Sequence, residues 1–160
     1  MKYSSEISLL LTAIEEAYRQ KSWHGTNLRG SVRGISAGEA AWRPGKNRHN
    51  IWEITVHCAY WKYAVRRRIL GERRGSFPLE GSNWFSRPEK RADESSWRRD
   101  VKLLDAMHAA MIAAIADLRP SELPMIPRGS KFDNRAIITG IAAHDVYHAG
   151  QIQLIKKLMH

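Results

Sequence analysis

The stretch that decides the fold runs from Asp133 to Leu158 and reads DNRAIITGIAAHDVYHAGQIQLIKKL. Asp133 is a good N-cap, because its carboxylate can accept hydrogen bonds from the first free backbone N–H groups of a helix. The inward seam repeats at alternating steps of four and three, which is typical of a helix packed against other helices. The stretch therefore predicts a long core-facing helix with two histidines in its middle. Its seam consists of Ile137, Ile141, His144, His148, Gln151 and Ile155.

Three other segments have helical periodicity. The first carries its apolar stripe from Ile7 to Tyr18. The second is predicted to begin at Asn50, which has capping-box spacing to Glu53, and to run as far as Gly71. The third has an apolar stripe from Trp97 to Leu118, and a proline two residues later stops it.

The connections between these helices are unequal and long. Residues 20–50 and 72–94 both exceed the roughly 2–8 residues that usually join adjacent antiparallel helices. A second capping-box spacing at Ser36 predicts a short helix through Trp42. Since no segment has the pattern of a strand pair, we predict an all-α fold. Residues 1–160 are expected to form one four-helix-bundle domain with long crossover loops.

Composition limits the class of protein. No apolar run approaches the ~20 residues that span a bilayer, and the N-terminal residues do not resemble a signal peptide. The single cysteine, Cys58, excludes an intramolecular disulfide, so a reducing cytoplasm is expected. We therefore expect a cytoplasmic protein that does not enter a membrane.

The net charge is +10, from 26 Lys and Arg against 16 Asp and Glu. Cations near a helix C-terminus complement the helix dipole, which favours a solvated basic face; an anion-binding role is the alternative. The tryptophans are interpreted as structural and do not form a stacking surface, so no specific nucleic-acid binding is expected. The basic clusters are Arg66, Arg67, Arg68, Arg73 and Arg74, and then Arg87, Lys90, Arg91, Arg98 and Arg99.

His144 and His148 are four residues apart, so both side chains project from one helix face, with Cβ atoms about 6 Å apart. Two imidazoles at this spacing can close on one metal ion. Burying them without partners would cost ~1–3 kcal/mol each, and a shared cation removes that cost. His57 lies on the seam of the second helix. We therefore predict one divalent metal ion bound by His57, His144 and His148.

Other residues compete for roles at this site. His108 also lies on an apolar stripe, but Met107 competes for the inward direction, so we interpret His108 as a boundary histidine. Cys58 points about 100° away from the preceding histidine and is interpreted as a small core residue. Gln151 and Asp145 are the candidates to orient the ligand imidazoles. Asp145 could instead contact a neighbouring helix or face solvent.

Aromatic residues are expected around the cleft. Trp61, one turn from His57, and Trp84 in the second long connection either wall the cleft or fill the core. His49 is either exposed or part of the cleft wall. Tyr147 is expected to pack against an adjacent helix.

The string HDVYHAGQI at residues 144–152, read as HDxYHxGQI, resembles the terminal-helix signature of DinB-like (DNA-damage-inducible) proteins. His57 and Trp61, in an HxxxW arrangement, match the other metal histidine of that family. Residues 42–44 (WRP) and 51–53 (IWE) also resemble family members. The likeness covers nearly the whole chain in order and spacing.

This resemblance implies a four-helix bundle with a crossover connection, a three-histidine divalent-metal site and often a homodimer. Related members include S-transferases that use the thiols bacillithiol or mycothiol, and a mycothiol-dependent maleylpyruvate isomerase. The leading hypothesis is therefore a metal-dependent enzyme, a thiol S-transferase or a hydrolase, with a small-molecule substrate. Zn²⁺, Ni²⁺, Fe²⁺ and Mn²⁺ all accept imidazole ligands, so the metal stays open. A non-catalytic metal protein and a basic nucleic-acid-binding protein are the alternatives.

Overall fold

The structure is a computed structural model that describes residues 4–87 and 92–160. Over these residues it contains α-helices, one 3₁₀ turn and no strand, which confirms the all-α prediction. The elements are α1 (Ser5–Tyr18), α2 (Leu28–Ser31), α3 (Ala37–Ala41), α4 (Ile51–Ile69), α5 (Glu94–Ala116), the 3₁₀ turn Pro120–Glu122, and α6 (Asn134–Leu158).

The four long helices α1, α4, α5 and α6 form the bundle. Helix α4 packs most extensively against α5 and also against α6, while α1 packs against α6 and α5. The first half of α4, Ile51–Ala59, is buried on every face, so α4 is the central helix at that end. Each large apolar side chain buried there contributes ~1.5–3 kcal/mol through removal from water.

The helix ends follow the local sequence signals closely. Ser36 and Glu39 form the predicted reciprocal capping box at α3. The Asp133 carboxylate caps α6 by accepting from the Ala136 N–H, and Gly71 ends α4 in the left-handed region at φ 68°.

The cap of α4 is only half of the predicted box. Asn50 accepts from the Glu53 backbone N–H, but the Glu53 carboxylate binds Arg43 and contacts His49. That carboxylate therefore ties the end of the first long connection to α4 and leaves the reciprocal half of the box unmade.

The two long connections pack against the bundle. The first holds α3 and also α2, which the sequence reading did not predict. In the second, Phe85 is buried against the core. Trp23 is fully exposed, so the interpretation of every tryptophan as structural is wrong for that residue.

The basic cluster at the end of α4 lies where the sequence placed it, with Arg66, Arg67 and Arg68 in the last turn. Arg66 forms a bidentate pair with Glu72. Lys90 and Arg91 of the second cluster lie outside the described residues. Across residues 4–87 and 92–160, the search for a helix long and apolar enough to cross a membrane finds none.

Candidate metal centre

The three predicted ligands meet in one place. His57 comes from α4, and His144 and His148 come from successive turns of α6, which packs against α4. The Nε2 atom of His144 lies 3.1 Å from the Nε2 atom of His57 and 3.1 Å from that of His148. His57 and His148 are about 95% buried, and His144 is half-buried. Three imidazoles therefore direct the same ring nitrogen toward a single point.

Hydrogen bonds behind two of the rings fix which nitrogen is free to bind. The Nδ1 atom of His57 lies 2.8 Å from the carbonyl oxygen of Asn83, which can only accept. The Nδ1 atom of His148 lies 2.7 Å from Oε1 of Gln151. Both Nδ1 atoms therefore carry the proton, and in neutral rings the two Nε2 atoms present lone pairs to the centre.

Burial keeps these rings neutral. Burial, together with the smaller effect of neighbouring imidazoles, lowers the pKa of His57 to about 4 and the pKa of His144 to about 3. Burial also lowers the pKa of His148, although the bond to Gln151 opposes this change. Near neutral pH the site thus offers uncharged imidazoles, the form that binds metals.

The arrangement fits a cation. Two lone pairs, from His57 and His148, face the Nε2 atom of His144, which can donate at most one proton. At least one buried acceptor is left without a donor, a cost of ~1–3 kcal/mol that a shared cation removes. No carboxylate belongs to this group, so a divalent ion would keep its full charge. The three histidines together form a candidate metal-binding group within the described chain.

Aromatic side chains cover one side of the group. The Trp84 ring stacks on His57 with centroids 3.8 Å apart, and His49 stacks on the other face of Trp84 at 3.6 Å. Trp61 donates its indole N–H to the Asn83 side chain at 2.9 Å, beside the carbonyl that holds His57. Trp61 and Trp84 therefore border the histidines, and His49 belongs to the same wall.

Gln151 and Asp145, the two residues expected to orient the ligand imidazoles, differ in what they contact. Gln151 contacts His148 directly, and its amide N–H donates to the Tyr147 hydroxyl at 3.0 Å. Tyr147 itself is 63% exposed, so its expected packing against a neighbouring helix is wrong. Asp145 is fully buried and forms an ion pair with Lys62 of α4, which is the neighbouring-helix alternative. Asp145 has no hydrogen bond to the three imidazoles.

Asp145 also belongs to a second group of potential ligands, together with Cys58 and His144. Burial raises the pKa of the Cys58 thiol well above its usual value, with the Asp145 charge as the next cause. Cys58 therefore stays protonated, and the Lys62 ammonium already neutralises Asp145. This second group is poorly suited to a cation, and Cys58 is the small core residue that the sequence predicted.

His108 is excluded as a ligand by its contacts. It is completely buried rather than at the edge of the core, so the boundary interpretation is wrong. Its ring stacks on Tyr18 at 3.7 Å, and its Nε2 atom lies 3.0 Å from a Glu15 carboxylate oxygen. A partner on α1, distant in sequence, explains the burial of His108. Residue spacing within one helix does not predict such a partner.

Two cavities lie near the histidines, and one of the three histidines belongs to the wall of the first. The first, about 650 Å³, is largely apolar and is lined by His144, Trp61 and Ile141 among others. The second, about 590 Å³, is lined by His49, Trp84 and Gln151. The first cavity therefore opens onto His144, and the second is bounded by Trp84 and Gln151, which contact His57 and His148.

A helical bundle with buried, convergent imidazoles fits a metal-binding protein. Comparison with protein-family models matches residues 20–152 to the DinB superfamily, a span that includes all three histidines. This match covers well over half of the chain, which therefore belongs to the DinB superfamily. The comparisons with curated proteins and with solved structures gave no match.

Proposed function

We propose that this protein is a metal-dependent enzyme that transfers or hydrolyses small molecules, with a low-molecular-weight thiol as the preferred nucleophile. The observation that carries the proposal is the convergence of three neutral Nε2 atoms on one point, bordered by cavities. A divalent cation held there would lower the pKa of a thiol or water bound to it and so supply a nucleophile near neutral pH.

The chain's own residues have distinct parts in this proposal. His57, His144 and His148 hold the cation. The Asn83 carbonyl and the Gln151 amide fix the tautomers and ring orientations, because each accepts from an Nδ1–H. Trp84 covers one face of His57 and limits the entry of water.

The two cavities support a reaction with two substrates. The largely apolar one on the His144 side suits an electrophile with an apolar body. The one beside Trp84 and Gln151 is lined by more polar groups, among them Asn47, Arg48 and His49, and suits a polar thiol. A transferase needs room for two substrates beside one centre, whereas a purely structural metal site is normally closed by four protein ligands. A thiol in the second cavity would approach past Trp84 and Gln151.

The test starts with elemental analysis of the purified protein and continues with a thiol-consumption screen. The zinc-, nickel-, iron- and manganese-loaded proteins would be mixed with monobromobimane and with cysteine, glutathione or a cysteinyl-glucosamine thiol. We expect turnover above the uncatalysed rate with at least one metal and thiol. This turnover should be lost in His144→Ala and retained in His108→Ala. Stoichiometric metal with no turnover of thiols or activated esters would instead support the non-catalytic alternative.

The basic charge motivates the nucleic-acid alternative, and we propose that specific binding is absent. Any association should arise from counterion release alone, so it should be indifferent to sequence and fall steeply with salt. Fluorescence anisotropy with two unrelated duplexes would measure this. A sequence-preferring complex that survives about 0.2 M salt would overturn the proposal.

We also propose that the chain forms a homodimer through the outer face of α6. Tyr147, Leu154 and Leu158 are exposed there, at 63%, 59% and 58%, and the two leucines also line the cavity beside Trp84, so the partner subunit would border that cavity. Light scattering should give twice the chain mass, and Leu154→Glu should give the monomer mass. A monomeric wild-type protein at about 50 μM would contradict this proposal, since stable interfaces of standard size persist well below that concentration.

A further inference from the structure

The apolar cavity beside His144 has a neighbour of very different character. This neighbour is a cleft of about 320 Å³ at the end of α4. Both cavities have Gly129 in their walls, so they meet at that residue. On α4 the wall passes from Trp61 to Arg68, about 10 Å at the helical rise, and Arg67 then faces the cleft.

The cleft concentrates positive charge. Its walls contain four arginines and one carboxylate, and that carboxylate, Glu72, is already held by a bidentate bond to Arg66. The Nε atoms of Arg67 and Arg68 are buried and have no hydrogen-bond partner among the described residues. The four arginines of the cleft are Arg67, Arg73, Arg74 and Arg128.

Two of these arginines repel a fifth one, Arg68. Burial and the nearby charges of Arg67 and Arg74 lower the pKa of Arg68, at the point where the apolar cavity meets the cleft. A helix dipole accounts for cations in the last turn of α4, but Arg128 comes from the segment that precedes α6 and faces the same cleft. An anion that accepts hydrogen bonds from the guanidinium groups lining the cleft would offset the repulsion.

We infer that the apolar cavity beside His144 and the arginine-lined cleft at the end of α4 form one elongated binding site for an organic anion. Its apolar body lies between Trp61, Phe132 and Ile141, and its phosphate or carboxylate group lies among the arginines near Gly129. The end of the ligand opposite the anion then lies next to His144. This inference deepens the proposed function and rests on it for the reaction at that end. Binding of the anion does not depend on the metal.

Hexyl phosphate is a suitable probe, because it combines a short apolar chain with a dianion. Its affinity for the wild-type protein would be measured by calorimetry, with and without zinc, beside hexanoate, hexanol and inorganic phosphate. We expect hexyl phosphate to bind at least about tenfold more tightly than hexanol or phosphate, since both halves of the site contribute. The comparison with hexanoate distinguishes a phosphate from a carboxylate ligand.

Three variants assign the binding to the two halves. Arg128→Gln should weaken hexyl phosphate about tenfold and leave hexanol unchanged, because it removes a charged hydrogen-bond donor. Phe132→Ala should weaken hexyl phosphate and hexanol but not inorganic phosphate. The matched control Arg99→Gln removes an exposed cation on α5 and should change no affinity by more than about twofold. Arg128 and Phe132 are also exposed, so neither change threatens the fold.

Two results would overturn the inference. One is hexyl phosphate binding no more tightly than hexanol. The other is an equal loss in Arg99→Gln and Arg128→Gln, which would indicate attraction by the net charge alone. Absence of thiol turnover with intact hexyl phosphate binding would contradict the proposed reaction and leave the anion site standing. Thiol turnover in a protein that does not prefer hexyl phosphate over hexanol would contradict the anion site and leave the proposed reaction standing.

Discussion

Two groups of potential ligands share His144, and they differ in the hydrogen bonds and ion pairs that their members already make. In the first, His57 and His148 donate from Nδ1 to oxygen acceptors and leave two Nε2 lone pairs facing His144. In the second, Asp145 is paired with the buried ammonium of Lys62, and Cys58 is held as a thiol. Both groups are compact enough for an ion. The second also leaves Asp145 Oδ1 without a hydrogen-bond partner among the described residues, but the Lys62 ammonium already opposes the charge of that carboxylate. The first alone points two Nε2 lone pairs at a third imidazole.

The difference teaches that burial of metal-ligand residue types is a weak indication of a metal site. His108 makes the same point, because it is more buried than His144 yet its Nε2 atom is already held by Glu15 and its Nδ1 atom faces no other potential ligand within the described chain. What distinguishes the three-histidine group is direction: hydrogen bonds behind the rings force the free lone pairs to converge.

The largest effect is expected from removal of the shared ligand. His144→Ala should abolish stoichiometric binding of zinc, because two imidazoles remain and a solvent path opens between them. The loss should exceed the ~10–100-fold typical of residues behind the ligands. Titration with a competing chelator would measure it. Cys58→Ala and His108→Ala are the matched controls, and full zinc occupancy in His144→Ala would refute the assignment.

Breaking the buried ion pair should affect stability more than metal binding. Asp145→Asn leaves the Lys62 ammonium buried without a countercharge, which should lower the free energy of unfolding by ~3–5 kcal/mol. Urea denaturation would measure this loss, and zinc titration of the folded variant should give an affinity within about tenfold of wild type. If zinc binding disappears while the variant stays folded, the second group takes part in ligation.

A smaller effect is expected from the residue behind His148. Gln151→Ala removes the acceptor that fixes the His148 tautomer and should weaken zinc binding by ~10–100-fold. Gln153→Ala, two residues along α6, is the control and should leave the affinity unchanged. Equal affinities in the two variants would show that the His148 ring is held by packing alone.

The smallest effect concerns pH. The folded pKa values of His57 and His144, about 4 and about 3, lie below the unfolded value of ~6.5. At a pH between the folded and unfolded pKa values, the folded chain therefore binds fewer protons than the unfolded chain. The stability that these neutral rings contribute is complete above pH ~6.5 and is lost as the pH falls through about 4. Burial raises the pKa of Asp145 to about 6, so this carboxyl group changes stability with pH in the opposite direction. That effect is common to metal-free and metal-loaded protein.

The zinc-induced rise in melting temperature isolates the imidazoles from that common effect. It should persist from pH 7.5 to 5.5, because the folded rings are neutral throughout, and disappear near pH 3.5. A rise that is already lost at pH 5.5 would mean that the rings are hydrated and protonate like exposed histidines.

The sequence was sufficient for the features that depend on local pattern. The period of the α6 seam predicted which way His144 and His148 point, and the caps at Ser36 and Asp133 fixed helix starts. These features involve residues within two turns of one another, where spacing alone determines geometry. Gln151 belongs to this class, since it contacts His148 three residues away.

The remaining features depend on contacts between distant parts of the chain. Lys62 and Asp145 are 83 residues apart, and His108 and Glu15 are 93 apart. The acceptor behind His57 is a backbone carbonyl in a loop, which no side-chain motif encodes. Helix α2 has four residues, too few for an apolar period to appear. Such features become predictable only once the packing of α1, α4, α5 and α6 is known.

The most direct test of the central claim is the X-ray absorption spectrum of the zinc-loaded protein. Three imidazoles predict three nitrogen scatterers at ~2.0–2.1 Å with the outer-shell pattern of histidine rings, and no sulfur. A zinc–sulfur distance of ~2.3 Å would instead place the ion with Cys58 and Asp145. That result, or a spectrum with a single imidazole, would contradict the account of a three-histidine centre.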